Sequence, residues 1–506
     1  MLIYPSVESL LYYAQAHLLL DDLDVIWARN LILDELKLHD YVQYEVDYEA
    51  IEALDRPDSI LEPLVSYAVE NGIITEDKRE YFGGKLMNIV TKRPAEVADI
   101  FDDLHRKSPA KAFDWLYDYG VKSDYVKLGK ISENIKWDAK ATRGKLEITI
   151  NVCRPEKNNK KTAEAAKVKS ETYPMCSVCK ENEGFAYGSQ IRQTLRTIPL
   201  ELGGEEWFWQ FSPYAYFNQH GIAVNAAHTP MVINDATIVK LFDFVDYAPG
   251  YFIGCNAAIP RVGGSVLSHD HFQGGAKLMP MQKAPALLKL KCPDYPYVDT
   301  CIVDWYNSVI RFVGTNRSQI IELVQKVNNA WMNYNDESVN ILAKTDEQHN
   351  AITPIVRKID DKYCAEVILR NNRCDDEYPD GIFHAHPEYH NIKSESIGLI
   401  EAMGLFVLPG RLARQTAEIE KYLTKEVKYS AANLAPDMLC HKDMIEKLLK
   451  EVGSSKPSPA EAHLNVKEEI GRVCEQILYN TAVFKQDEVG KAAFLKFLAT
   501  LNIQAK

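Results

Sequence analysis

Along residues 1 to about 140 the apolar positions recur every three or four residues. Leu10, Leu11, Ala14 and Leu18 form one such stripe, and Ile60, Leu61, Leu64, Val65 and Ala68 form another; Ile26, Leu31 and Leu33 follow the period less cleanly. This spacing predicts amphipathic helices. Residues 95–117 read as two short helices split at Ser108-Pro109, because the residue before proline is pushed out of the helical region. At Leu146 the period changes. Leu146, Ile148 and Ile150 alternate with Glu147, Thr149 and Asn151, the pattern of a half-buried strand. Further strands are expected over 207–211, 221–225, 251–258 and 266–273. Between the second and third lies a helix capped by Asp235, with Ile238, Leu241, Phe242 and Val245 on its apolar face and a stop at Pro249-Gly250. Residues 300–420 repeat this layout loosely: a helix over 309–334, then strands near 351–357 and 364–369. A short HxH ends the strand pair in each half. The pattern predicts an α+β fold with antiparallel sheets, duplicated in tandem.

The expected division is a helical N-terminal region (1–140), a first sheet half (141–295), a second sheet half (296–420) and a C-terminal helical region (421–506) with a GSSKPSP break at 453–459. The polar, lysine-rich stretch 154–171 reads as an exposed loop or solvated helix. A net charge of −13 argues against a nucleic acid or an anionic membrane as partner, since both need a cationic surface. No stretch approaches the ~18 apolar residues of a membrane helix, and the first residues lack the features of a signal peptide. Ten irregularly spaced cysteines do not suggest a disulfide framework. The expectation is a cytoplasmic enzyme with reduced thiols, and a homodimer is the common default.

The segment SVLSHDHFQGG, 265–275, concentrates the candidate chemistry. On a strand His269, His271 and Gln273 would share one face. Two imidazoles and an amide on one face are costly in a core and reasonable in a site. Just upstream, Gly263, Gly264 and Ser265 form a turn whose backbone N–H groups could approach an anion. A neutral imidazole can attack phosphorus and form a covalent intermediate, so this set suits nucleotidyl transfer; the bland alternative is two histidines bonded to carbonyls beside a turn. Cys176 and Cys179 form the one CxxC. With His228 and His269 they could bind zinc, they could be plain buried thiols, or they could be a redox pair, which would need a thioredoxin-like βαβ context that the pattern does not offer. The aromatic and polar run 211–221 could hold a base and ribose or could be core. Arg192 and Arg196, four apart, would share a helix face and could clamp a phosphate, or could simply be solvated. His384, His386, Glu388 and His390 would share a strand face, interrupted by Pro387.

The segments YPMCSVCKENEGFAYG, FSPYAYFNQHGIAVNAAHTPM, YFIGCNAAIPRVGGSVLSHDHFQGG and GIFHAHPEYHNIKSESIGLIEAMGLFVLPGRL resemble the galactose-1-phosphate uridylyltransferases, in particular their second, bacterial sequence class of UDP-glucose–hexose-1-phosphate uridylyltransferases. The resemblance runs through nearly the whole chain. It implies a tandem histidine-triad-like fold and ping-pong transfer of a uridylyl group from UDP-glucose to galactose 1-phosphate, with no organic cofactor. His271, the second histidine of HxHxQ, would be the nucleophile. Gln273 would hydrogen-bond the uridylyl phosphate, and Ser265 with Gly263 and Gly264 would meet the diphosphate. Asn218 and Asn256 are candidates for ribose or phosphate contacts. Cys176, Cys179, His228 and His269 could correspond to the zinc ligands of the first class. A nucleotide phosphorylase or hydrolase of the same fold is the alternative. Hydrolytic members of the wider superfamily often carry HxHxH, whereas position 273 here is glutamine. The first class has HPH where this chain has HDH, and the turn before it is one residue longer here.

Overall fold

The computed structural model describes residues 3–153, 173–186, 192–264 and 266–506. The helices expected in the N-terminal region form, among them Tyr4–Leu18, Asp58–Glu70, Pro94–Lys107 and Pro109–Lys122. Ser108 separates the last two with an extended backbone, as the following proline requires. Leu10, Leu11, Ala14 and Leu18 pack against Ile60, Leu61, Leu64 and Val65 in one buried cluster.

Two sheets follow. In the smaller, β1 (Ile135–Ala141) pairs antiparallel with β2 (Gly144–Asn151), which pairs parallel with β13 (Leu405–Pro409). The larger sheet has eleven strands, and their order exposes a repeat. The first five are β3 (Ile198–Leu202), β4 (Glu205–Phe211), β5 (Gly221–Asn225), β6 (Phe252–Gly254) and β7 (His271–Gly275), in spatial order β3-β4-β5-β7-β6. The next five are β8 (Ala286–Lys291), β9 (Asp299–Val303), β10 (Val309–Gly314), β11 (Asn350–Ile359) and β12 (Lys362–Asn371), in order β8-β9-β10-β12-β11. Each set carries one long helix between its third and fourth strands, Asp235–Tyr247 and Arg317–Trp331. The two sets meet where β6 pairs antiparallel with β11. A two-residue strand, β14 (Gln504–Ala505), closes the far edge on β8. The chain is thus α+β with antiparallel pairing throughout the large sheet.

One face of that sheet, with Ile253, Phe272, Val356 and Ala365, packs against those two helices. The opposite face, with Phe252, Val309, Ile355 and Ile368, packs against β1, β2, β13 and the C-terminal helices.

The structure corrects several expectations. Residues 309–314 are a strand and not the start of a helix. Ile310 and Phe312 are buried on one side and Arg311 lies on the other, and the helix begins only after Asn316, whose side chain caps it at Gln319 N. The strand expected over 251–258 is limited to Phe252–Gly254. The one expected over 266–273 begins at His271, because Asp270 N is already bound by the Thr229 carbonyl at 2.7 Å. The lysine-rich stretch 154–171 lies outside the described residues.

Candidate active site

The site is built at the junction between the two strand sets. Within β7, His271 and Gln273 point to one face and Phe272 to the other. Gln273 is paired with Gly254 of β6. His271 is 5% exposed, and its Nδ1 lies 2.8 Å from the backbone oxygen of His269. A carbonyl can only accept, so Nδ1 carries the proton and the lone pair resides on Nε2. The local fold therefore selects the tautomer that a nucleophile needs.

His269 is not on the β7 face; its ring turns the other way, toward the CxxC. Cys176 Sγ is 3.3 Å from Cys179 Sγ and 3.3 Å from His269 Nδ1, and Cys179 Sγ is 3.2 Å from His228 Nδ1. All four ligand atoms lie within 4.8 Å of one another. Tetrahedral zinc with two sulfur and two nitrogen ligands requires ligand–ligand edges of about 3.4–3.8 Å, so the set matches in chemistry and nearly in spacing. His269 Nε2 is 2.8 Å from the Asn225 carbonyl. That bond places the Nδ1 lone pair toward the sulfurs, as outer-shell partners of metal ligands commonly do. Asn182 fixes the cysteine turn by donating to the carbonyls of Cys176 and Cys179, at 2.8 and 2.9 Å. The hydrogen bond with Cys179 and then that with His269 hold the Cys176 thiol below its ordinary range.

A cavity opens beside Gln273 of β7; His271, two residues before it on the same strand face, is not among the lining residues. Of the residues singled out from sequence, Gln273, Asn256, Gly263 and Gly264 line it. A Cβ on Gly263 would lie 2.0 Å from the Ala257 carbonyl oxygen, so only glycine allows this turn. Asn256 Oδ1 accepts the Leu399 N–H at 2.7 Å and thereby joins the turn to the segment leading into β13. That segment supplies the far wall: Lys393, Glu395, Ser396 and Glu401. Lys393 is nearly buried, 2.8 Å from Glu395 and 2.6 Å from Glu401, and donates to the Val407 carbonyl at 2.9 Å. Burial alone would lower its pKa; the two carboxylates reverse that and hold it up.

Other candidates sit elsewhere. Residues 192–197 are not helical, so Arg192 and Arg196 do not share a helix face. Arg196 donates to the carbonyls of Lys92, Gln193 and Leu195 and to Asn88. Arg192 donates to the Tyr125 hydroxyl at 3.1 Å. Asn218 is exposed in a turn, while its neighbour Tyr216 lines the cavity. Ser265 lies outside the described residues. His384, His386 and His390 do not form a strand face, since Pro387–Tyr389 is a turn of 3₁₀ helix. His386 and His390 bond to the carbonyls of Ile382 and Ala385. His384 is fully buried, and that burial, with His390 and Arg370 nearby, pushes its pKa down to about 4.

Sequence reasoning missed Arg261 and the far wall; Tyr216 falls within the run 211–221, for which base-and-ribose binding and a core role both stay open in sequence. A carboxylate at Glu401 inside the apolar run 396–408 was the available signal for that wall.

The chain matches two family models, "Galactose-1-phosphate uridyl transferase, N-terminal domain" over residues 34–230 and "Galactose-1-phosphate uridyl transferase, C-terminal domain" over 242–435. It is similar over its length to proteins named galactose-1-phosphate uridylyltransferase. The one from Caldanaerobacter subterraneus subsp. tengcongensis is 40% identical, with 98% of each chain covered. That from Bifidobacterium longum is 39% identical, with 100% of this chain and 99% of the relative covered. That from Lactococcus lactis subsp. lactis is also 39% identical, covering 99% and 100%. A crystal structure of yeast Ap4A phosphorylase Apa2 is 12% identical and covers 67% of this chain and 96% of its own, at a TM-score of 0.32; so slight a likeness decides nothing about the reaction.

Proposed function

We infer the chemistry from one premise: the chain belongs to the galactose-1-phosphate uridylyltransferase family and is a nucleotidyltransferase. The reaction is transfer of a uridylyl group from UDP-glucose to galactose 1-phosphate in galactose metabolism. His271 Nε2 attacks the α-phosphorus of UDP-glucose. The N–P bond forms as the bond from phosphorus to the bridging oxygen breaks, and glucose 1-phosphate leaves with the electron pair. A phosphate oxygen of galactose 1-phosphate then attacks the same phosphorus, the N–P bond breaks and UDP-galactose leaves. The observation that carries this reading is the 2.8 Å bond from His271 Nδ1 to the His269 carbonyl. It leaves the lone pair on Nε2 and lets a backbone dipole balance the positive charge the ring acquires.

Gln273 donates to a non-bridging oxygen of the transferred phosphoryl group, and the Gly263-Gly264 turn meets the diphosphate. Asn256 keeps that turn against the far wall through Leu399 N. Glutamine cannot relay a proton to water, which favours a phosphate acceptor over hydrolysis.

Cys176, Cys179, His228 and His269 would hold zinc, a choice supported by the two-sulfur, two-nitrogen set and its spacing. Bound there, zinc supplies no reacting group; it fixes the position of His269, whose carbonyl in turn orients His271. All ten cysteines are free of disulfides, and no helix among the described residues is long and apolar enough to cross a membrane. Both observations support a place in the cytoplasm.

The test is isotope exchange. With no acceptor sugar present, the protein should exchange labelled glucose 1-phosphate into UDP-glucose, because the first half-reaction runs alone. Accumulation of UMP or UDP without exchange would favour the hydrolase or phosphorylase alternative.

A further inference from the structure

The cavity has to receive anionic phosphoryl groups, and the arginines that sequence spacing offered for them are occupied elsewhere. Arg196 is spent on backbone carbonyls and Asn88, and Arg192 donates to Tyr125. Among the described residues two cations line the cavity, Lys393 and Arg261. Lys393 is locked between Glu395, Glu401 and the Val407 carbonyl, with its side chain 4% exposed. Arg261 has a side chain 31% exposed and belongs to the turn that contains Gly263 and Gly264.

We propose that Arg261 is the phosphate-binding cation of this enzyme, held ready by the second strand set; the assignment rests on the uridylyl-transfer reading. Arg261 adopts φ +72°, a left-handed conformation uncommon outside glycine. The contacts around it come from distant sequence. Its Nε donates to the Asn372 carbonyl at 3.3 Å, and its Nη2 bonds Glu347. Asn372 Nδ2 donates to the carbonyl of the preceding Pro260 at 3.2 Å. Asn372 Oδ1 is 2.8 Å from His349 Nδ1, and Asn372 N donates to the His349 carbonyl at 3.1 Å. His349 Nε2 is in turn 2.7 Å from Thr345. Asn372 and His349 are buried, so this support is desolvated and hydrogen-bonded on both sides.

The result is a guanidinium fixed through Nε and Nη2. Among the described residues Nη1 carries no hydrogen bond. A planar fork held at two nitrogens loses little freedom when the third meets a phosphoryl oxygen. Glu347 keeps the charge compensated until the anion arrives. Asn372 and His349 are positioning residues: they touch no substrate and act through Arg261 and Pro260.

Titration calorimetry with UMP and with uridine separates this from a structural role. Arg261→Gln should weaken UMP binding by about 10- to 100-fold and leave uridine binding within about twofold. Arg261→Lys should fall between, since an ammonium keeps charge but not the fork; it also decides the matter if the glutamine variant does not fold. UMP binding that is unchanged in Arg261→Gln, or uridine binding lost in equal measure, would overturn the assignment. A wild-type protein that binds UMP no tighter than uridine would overturn it as well. The transfer reading fails separately: tight UMP binding with the expected Arg261 effect, but no exchange of glucose 1-phosphate into UDP-glucose, would remove the transferase and leave the phosphate contact in place.

Discussion

The two strand sets have the same order and helix placement, yet one level of the sheet shows how differently they are used. Gln273 pairs with Gly254, Gly254 with Ile355, Ile355 with Glu366, and Glu366 with Arg311. A single cross-strand row thus runs from β7, which carries the proposed nucleophile, to its counterpart β12. On the first side the row ends in an amide facing a cavity. On the second it ends in a buried ion pair, Glu366 fully inaccessible and 2.9 Å from Arg311 Nε. Arg311 also donates to the carbonyls of Ala284 and Met281, at 2.8 and 3.0 Å, which belong to the connection leaving β7. The scaffold is repeated, and the proposed chemistry uses one side of it. The second set buttresses the first, with Arg311 under the exit of β7 and Asn372 under the entrance turn.

Reciprocal swaps in this row should break different properties. Gln273→Glu places a carboxylate against the transferred phosphoryl group, and uridylyl transfer should fall by about 10²- to 10³-fold. Stability should change little, because Gln273 is only half-buried. Steady-state rates with a urea melt check both halves of that statement. Glu366→Gln should do the opposite. It leaves Arg311 buried without its counter-charge, a loss of about 3–5 kcal/mol readable from urea denaturation, while kcat of the folded fraction stays within a few-fold. If Glu366→Gln slowed catalysis with no loss of stability, the division of labour drawn here would be wrong.

A smaller effect concerns the buried histidine of the second half. The pKa of His384 is pushed down to about 4, while an unfolded histidine titrates near ~6.5. Between those values the unfolded chain binds the proton that the folded chain refuses, so stability is retained above ~6.5 and lost as pH falls toward 4. The loss from this site amounts to about 3 kcal/mol. His441, buried against Arg411, is pushed down to about 4 as well. The acid side of the stability profile should therefore flatten in His384→Gln and flatten further with His441→Gln added. Urea midpoints from pH 7 to pH 4.5 measure it.

The parts of this molecule that announce themselves in sequence are those with local spacing. The cysteine pair and the HxHxQ segment are short motifs, and the helical stripes of residues 4–122 follow a period. The readings that went astray needed information from elsewhere in the chain. Residues 309–314 carry too few alternations to separate a strand from a helix start, and β10 becomes a strand because β9 and β12 flank it. Arg192 and Arg196 looked like a phosphate clamp because four-residue spacing means one face only on a helix, and none forms there. Alternation puts His269 with His271 on one strand face, but the strand starts two residues later and the ring faces the cysteines. The far wall of the cavity comes from 393–401, 120 to 128 residues beyond Gln273, a distance no local pattern bridges.

The central claim is that His271 carries the uridylyl group. The most direct measurement mixes the protein with UDP-glucose labelled in uracil, without acceptor, quenches in alkali and counts label on the chain. The account predicts label on wild type and on His384→Ala, none on His271→Ala, and discharge of the label as UDP-galactose when galactose 1-phosphate is added. Label that survives His271→Ala, or wild-type protein that never becomes labelled, would contradict it.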